Sequence, residues 1–164
     1  MDPEALSPID RLLAEHACER LILEFMRRLD LGQPSSVAEL FTEDGVWEWP
    51  DGGRRVEGRA ALGEYFGSRP ADRLSRRMCT NVLVDVESAS VAAATTYFAT
   101  YRVDGYTEGT MIPARLPVNV GHYEDAFRLV GGAWLLARRK LVLPFGGETE
   151  RLAPRGADSA ASIR

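Results

Sequence analysis

The segment 118–143 decides the fold: "VNVGHYEDAFRLV" (118–130) and "AWLLARRKLVL" (133–143) surround the glycine pair at 131–132. Side chains alternate between two faces in an extended strand, so Tyr123, Asp125 and Phe127 share one face, whereas His122 and Glu124 lie on the other. Two adjacent glycines between two such runs are typical of a tight turn. The pattern therefore predicts a long β-hairpin that is apolar on one side.

Period-two patterning also extends upstream of this hairpin. The runs "NVLVDVES" (81–88) and "SVAAATTYFATYRV" (90–103) are rich in β-branched and aromatic residues, which favours a second hairpin. The polar segment 104–117 then connects the two hairpins.

The first third of the chain has helical patterns instead. Ser7 and Pro8 are typical of a helix start, and the apolar positions from Ile9 to Leu29 predict a helix over 8–30 whose stripe includes Leu12 and Leu13. Two shorter helices are predicted in "SSVAELF" (35–41) and "GRAALGEYF" (58–66). Between them, "GVWEW" turns at "PDGG" and returns through "RRVEG", which indicates a small hairpin.

Helices that precede long strands predict an α+β fold, with a curved antiparallel sheet wrapped around the first helix and two further short helices. A length of 164 residues fits one domain, which we assign to 1–145. The segment 146–164 has few apolar residues, and we expect it to be disordered or loosely docked.

Composition excludes several classes of function. The net charge of −4 gives no reason to expect nucleic acid as a partner. No apolar run is long enough for a membrane helix, and the acidic start does not resemble a signal peptide, so we expect a cytoplasmic protein. Two histidines are too few for a His-rich metal site, and Cys18 and Cys79 are expected to be buried thiols.

Four motifs resemble the SnoaL-like branch of the NTF2-like superfamily, which includes scytalone dehydratase-like and polyketide cyclase-like proteins. They are "FMRRLD" (25–30), "LFTEDGVWEW" (40–49), "VEGRAALGEYF" (56–66) and "GHYEDAFRLVGGAW" (121–134) followed by "ARR". The resemblance implies a cone with a deep apolar pocket for a hydrophobic small molecule, acid-base chemistry without a cofactor, and a homodimer or higher oligomer formed through the outer sheet face. Some members of the superfamily only bind or assemble.

Catalytic relatives carry an aspartate in the last turn of helix 1, a tyrosine five residues earlier, and His-x-x-x-Asn at a strand start. The corresponding residues here are Asp30, Phe25 and Asn81, whereas Arg77 replaces the histidine. An imidazole exchanges protons near neutral pH, but a guanidinium does not. Arg77 could instead keep Asp30 ionised, bind a carboxylate or stabilise an oxyanion. A solvated arginine, or a structural ion pair with Asp30 or Glu48, is the alternative.

We take Asp30, Arg77 and His122 as candidate catalytic residues. His122 would act as a proton shuttle if the strand bends near Gly121, and it would otherwise be a surface or structural histidine. Other side chains are candidates for binding substrate, although aromatics at such spacing are usually core: Phe25, Trp47, Trp49, Met78, Asn81, Tyr97 and Tyr123.

Two hypotheses of function follow. The first is a cofactor-independent dehydratase, isomerase or cyclase that acts on a hydrophobic oxygenated molecule, such as a polyketide or steroid-like intermediate. The second is a small-molecule binding or assembly protein that has kept the cone and lost the histidine.

Overall fold

The computed structural model describes residues 6–146. It contains helix α1, a short 3-10 helix, strands β1 and β2, helix α2, and strands β3 to β6. Helix α1 spans Pro8–Leu31, the 3-10 helix spans Pro34–Leu40, and α2 spans Arg59–Gly67. The strands are β1 (Phe41–Trp49), β2 (Arg54–Glu57), β3 (Leu74–Val86), β4 (Val91–Val103), β5 (Asn119–Val130) and β6 (Ala133–Gly146).

Helix α1 begins where the sequence predicts. The Ser7 hydroxyl accepts a hydrogen bond from the Asp10 backbone N–H at 3.1 Å, and Pro8 occupies the first turn, where no N–H donor is required. Gly32 follows the last turn, and Pro34 disfavours further helix because its ring clashes with the preceding residue.

The predicted stripe of α1 is wrong in its N-terminal half, since Ile9, Leu12 and Leu13 are exposed. The buried face consists of Ala14, Cys18, Ile22, Phe25, Met26 and Leu29. Periodicity shows that a helix has apolar positions, but the packed sheet selects among overlapping stripes.

The six strands form one sheet in the order β2-β1-β6-β5-β4-β3. The three predicted hairpins, β1–β2, β3–β4 and β5–β6, are all present. Strand β6 also pairs with β1 in the parallel direction, so the sheet is mixed. Helices packed against this curved sheet confirm the α+β class.

Glycine and two bulges shape the sheet. Gly131 and Gly132 have φ values of 59° and 82°, which allow the tight turn between β5 and β6. One bulge has its extra residue in β3, between Thr80 and Leu83, and another has it in β6, opposite Gly121; such bulges bend strands. Strand β3 begins at Leu74, seven residues before the predicted start, because its first half pairs with the end of β4.

Aromatic rings fill the space between α1, α2 and the sheet. The ring of Phe25 makes edge contacts with those of Phe66, Tyr123 and Phe41, at centroid distances of 5.6, 6.1 and 6.2 Å. These contacts pack the inner face of α1 against α2, β1 and β5.

Strand β6 runs to Gly146, and the rest of the predicted tail lies outside the described residues. The domain boundary at 145 therefore stays a prediction. Within 6–146, the structure has no helix that is long and apolar enough to cross a membrane.

Candidate active site

A cavity opens between α1, α2 and the inner face of the sheet. The cavity has a volume of about 100 Å³, which suits a small ligand. Apolar and aromatic side chains form most of its wall: Phe25, Leu29, Trp47, Tyr65, Phe66, Phe98, Tyr123 and Leu141. The polar part of the wall consists of Arg69, Arg73, Arg77, Thr100, Arg102 and Asn119.

Neighbouring strands bring three of the polar residues side by side. Arg77 in β3 is the register partner of Thr100 in β4, and Thr100 is the partner of Asn119 in β5. Since facing residues in adjacent strands point to the same side of a sheet, the three side chains form one polar row across the cavity.

Asp30 and Arg77, two of the predicted catalytic residues, are in direct contact. The Arg77 backbone N–H donates to Asp30 Oδ2 at 2.6 Å, and its guanidinium donates to Oδ1. The Ser75 hydroxyl also donates to Oδ1, at 2.5 Å. Both charged side chains are largely buried, with 7% of Asp30 and 16% of Arg77 exposed. Arg77 is among the residues that line the cavity and Asp30 is not, so the carboxylate lies behind the cavity wall, in contact with the guanidinium of Arg77.

Ser75 connects this pair to Arg69. Its hydroxyl accepts a hydrogen bond from Arg69 Nη2 at 2.5 Å while it donates to Asp30. Arg69 also donates to the carbonyl of Leu29, and to that of Arg73 at 3.2 Å. Within 6–146, no carboxylate lies within ion-pair distance of Arg69.

Two further arginines share one carboxylate. Arg73 Nε donates to Asp104 Oδ1 at 2.5 Å, and Arg102 Nη2 lies 3.1 Å from Oδ2.

Burial, followed by the charge of Arg77, lowers the pKa of Arg69 to about 10. Burial, followed by the charge of Arg73, lowers the pKa of Arg102. Both shifts show that positive charge is crowded at this part of the cavity.

A buried ion pair supports the aromatic wall. Arg139 donates from Nε and Nη2 to the two oxygens of Asp125, at 2.8 and 2.6 Å, and both side chains are fully buried. The Arg139 guanidinium lies 4.2 Å from the ring centroid of Phe25 and 4.5 Å from that of Tyr123. Burial acts to lower the pKa of Arg139, but the charge of Asp125 outweighs it and the pKa is raised.

The structure does not bring His122 to the cavity. Alternation in β5 places it on the outer face, with Nε2 at 3.6 Å from Glu124 Oε1 and its ring 6.0 Å from that of Tyr97. Tyr97 and Met78 are exposed on that face as well. The bulge beside Gly121 has its extra residue in β6, so β5 keeps its alternation and His122 stays on the outer face.

Among the other candidate binding residues, Phe25, Trp47 and Tyr123 line the cavity, whereas Asn81 and Trp49 do not. Asn81 is exposed and has a φ of 50°, the left-handed conformation that the β3 bulge requires. Trp49 is buried in the core.

Sequence reasoning missed Arg69, Arg73 and Arg102. The first two precede Arg77 at intervals of four residues, in "SRPADRLSRR" (68–77), and this repeat was a signal. Four-residue spacing indicates a helix face, but this segment runs from the end of α2 into β3. Arg102 comes from another strand, and the sequence had no indication of its approach.

Comparison with known families identifies the fold and its relatives. Residues 10–140 match the SnoaL-like domain family, which is most of the chain, and the protein therefore belongs to that family. No curated protein sequence matches the chain significantly.

Solved structures agree with this assignment. A scytalone dehydratase-like protein from Novosphingobium aromaticivorans has 23% identity and a TM-score of 0.71, over 93% of this chain and all of that one. An NTF2-like protein with a cystatin-like fold from the same species has 24% identity and a TM-score of 0.67, over 87% and 88%. A type 2 hexachlorocyclohexane dehydrochlorinase, LinA, has 14% identity and a TM-score of 0.69, over 85% and 90%. Identities this low establish the fold alone.

Proposed function

We propose that this protein is a cofactor-independent acid-base enzyme, a dehydratase, isomerase or cyclase, that acts on a small oxygenated molecule in the cavity. The observation that carries the proposal is the buried Asp30–Arg77 pair at the cavity wall. A buried carboxylate beside a cavity, held in one orientation by three hydrogen bonds, is suited to accept a proton from carbon.

Asp30 is the base in this proposal. Its Oδ2 accepts one hydrogen bond within the described part of the chain, from the Arg77 backbone, and a carboxylate oxygen can accept two. For its second lone pair to accept the substrate proton, the Arg77 side chain must move aside, because Arg77 and not Asp30 lines the cavity.

Arg77 is the electrostatic partner. Its guanidinium lines the cavity and keeps its positive charge, so it can stabilise the oxyanion that forms when a proton leaves the carbon next to a carbonyl group. It cannot replace the proton-transfer role of a histidine, and His122 lies on the opposite face of the sheet. The proposed reaction therefore uses one base and a fixed cation.

The alternative is a non-catalytic small-molecule binding protein. A specific observation favours it: the Arg77 guanidinium lies between the Asp30 carboxylate and the cavity, where it restrains the proposed base. The homodimer expected through the outer sheet face stays a prediction, which analytical ultracentrifugation would test.

A ligand screen followed by hydrogen exchange separates the two functions. Ketones and hydroxyketones of polyketide or steroid type that raise the melting temperature would be incubated with the protein in D₂O. The enzyme hypothesis predicts that deuterium enters the ligand at carbon, detected by NMR, or that the ligand loses water. Asp30→Asn should retain binding and lose at least 100-fold in exchange rate, the scale expected for a general base.

Asp85→Asn is the matched control, since Asp85 is an exposed carboxylate on the same strand as Arg77. It should exchange at the wild-type rate. If ligands bind the wild type and Asp30→Asn, and neither protein exchanges or converts them, the result would favour a binding protein.

A further inference from the structure

The cavity has more arginine than the described carboxylates can pair. Arg69, Arg73, Arg77 and Arg102 contribute four guanidinium groups to its wall, whereas only Asp30 and Asp104 form ion pairs with them in the described part of the chain. Among residues 6–146, the hydrogen-bond acceptors of Arg69 are all neutral: the carbonyls of Leu29 and Arg73 and the hydroxyl of Ser75. The polar end of the cavity therefore carries excess positive charge.

Solvent does little to disperse this charge. The side chains of Arg73 and Arg102 are 9% and 12% exposed, close to the value for Arg77. Like charges that are buried together repel each other strongly, because the local dielectric is low. The pKa values of Arg69 and Arg102 are lowered first by the loss of water on burial and then by this repulsion. A bound anion would offset the repulsion between the arginines and would supply hydrogen-bond acceptors in place of the lost water.

A second observation concerns the neighbouring strand. The Asn119 side-chain oxygen is buried, and it has no hydrogen-bond partner within 6–146 although Asn119 lines the cavity. A buried acceptor of this kind is satisfied by a donor such as a hydroxyl group. Trp47, Phe66 and Tyr123 provide flat apolar walls, which suit a ring.

We propose that the cavity binds a small cyclic carboxylate that bears a hydroxyl group, with the carboxylate held by Arg69 and Arg102 and the hydroxyl donating to Asn119. Guanidinium groups match the planar geometry of a carboxylate and form paired hydrogen bonds with it. As a binding site this inference stands alone, and as a substrate assignment it rests on the acid-base function proposed above.

The test compares two probes of nearly equal shape, 3-hydroxybenzoate and its neutral amide 3-hydroxybenzamide, by isothermal titration calorimetry at pH 7.5. The carboxylate should bind the wild-type protein at least tenfold more tightly than the amide, since each charge-assisted hydrogen bond exceeds a neutral one by about that factor. Arg69→Met should remove most of the preference.

Arg20→Met is the matched control, because it removes the same charge from an exposed position on α1 outside this cavity. It should leave the preference unchanged. Equal binding of the two probes, no binding of either at millimolar concentration, or an equal effect of Arg20→Met would overturn the inference.

The design separates this inference from the function. Calorimetry detects binding without turnover, and Asp30→Asn should still bind the carboxylate because the proposed contacts come from Arg69 and Arg102. A carboxylate preference without any Asp30-dependent exchange would reject the enzyme and keep the anion site. Asp30-dependent exchange of a neutral ketone, with no carboxylate preference, would do the reverse.

Discussion

Arg77 holds the Asp30 carboxylate by two groups at once, with its backbone N–H on Oδ2 and its guanidinium on Oδ1. The backbone contact exists because β3 starts early enough to run past the last turn of α1. The side-chain contact exists because alternation in β3 turns Arg77 inward. An arginine at this position thus fixes the orientation of the carboxylate in the last turn of α1.

Loss of Arg77 should destabilise the fold. Arg77→Met leaves the buried Asp30 carboxylate without its cation, and we expect the free energy of unfolding to fall by about 3 kcal/mol. Arg27→Met is the control, since Arg27 is 60% exposed and pairs with Glu24 on the helix surface, where solvent screens such pairs and they contribute little. Urea denaturation measures the free energy of unfolding of both variants. Similar decreases would show that the Arg77–Asp30 pair is no stronger than a surface pair.

The Arg139–Asp125 pair should behave as one unit. Arg139→Met buries an unpaired carboxylate and should cost about 3–5 kcal/mol, whereas Arg139→Met combined with Asp125→Leu should recover most of that loss. Urea denaturation of the two single variants and the double variant gives the coupling energy. Additive losses would contradict this expectation.

Gly121 and Gly63 form a matched pair of glycine-to-alanine tests. A Cβ at Gly121 would lie 2.2 Å from the carbonyl oxygen of Val142, so Gly121→Ala should force β5 and β6 apart at a cost of about 3 kcal/mol. A Cβ at Gly63 in α2 would meet Ala38 at an ordinary 3.7 Å, and Gly63→Ala should instead stabilise by about 0.5–1 kcal/mol. Thermal melts would reveal opposite signs, and a neutral Gly121→Ala would mean that the bulge tolerates a side chain.

The buried thiol should be unreactive. Burial, assisted by the negative charge of Asp125, raises the pKa of Cys18 to about 12, so almost no thiolate exists at pH 8. In a Cys79→Ser variant, we expect DTNB to label Cys18 only after unfolding in urea. Burial also raises the pKa of Cys79, which is partly exposed and should react slowly in the native protein. Rapid labelling of native Cys18 would show that α1 opens readily.

Anion binding should depend on pH through Arg69. Its pKa of about 10 is below the usual arginine value, so the side chain is charged at pH 7 to 9 and begins to lose its proton as the pH rises through 10. Because the carboxylate binds the protonated form, the affinity for benzoate, which has no group that titrates near pH 10, should be constant between pH 7 and 9 and fall as the pH rises through about 10. Calorimetry with Arg69→Met should show no such fall, whereas the same fall in that variant would assign the titration to another group.

Much of the fold was predictable because it depends on short-range patterns. The cap formed by Ser7 and Pro8, and the turn at Gly131 and Gly132, are decided by neighbours within a few residues. The family motifs also placed Asp30 and Arg77 on converging elements, although their contact was only one of the alternatives that the sequence allowed.

Other features could not be read in this way. The buried side of α1 depends on which stripe meets the sheet, and several stripes overlap in its sequence. Alternation in β5 already put His122 on the polar face, and only the structure showed that β5 keeps this alternation past Gly121, since the extra residue of the bulge lies in β6.

The sequence by itself determined the α+β class, the hairpins and the family, because helix caps, glycine turns and side-chain periodicity act within a few residues. Only the tertiary structure decided the parallel pairing of β1 with β6, the burial of Arg139 with Asp125, and the arginine cluster around the cavity. Arg69 and Arg102 are brought together by strand pairing and helix packing between distant segments. Such contacts depend on the three-dimensional register of the sheet, which no local pattern specifies.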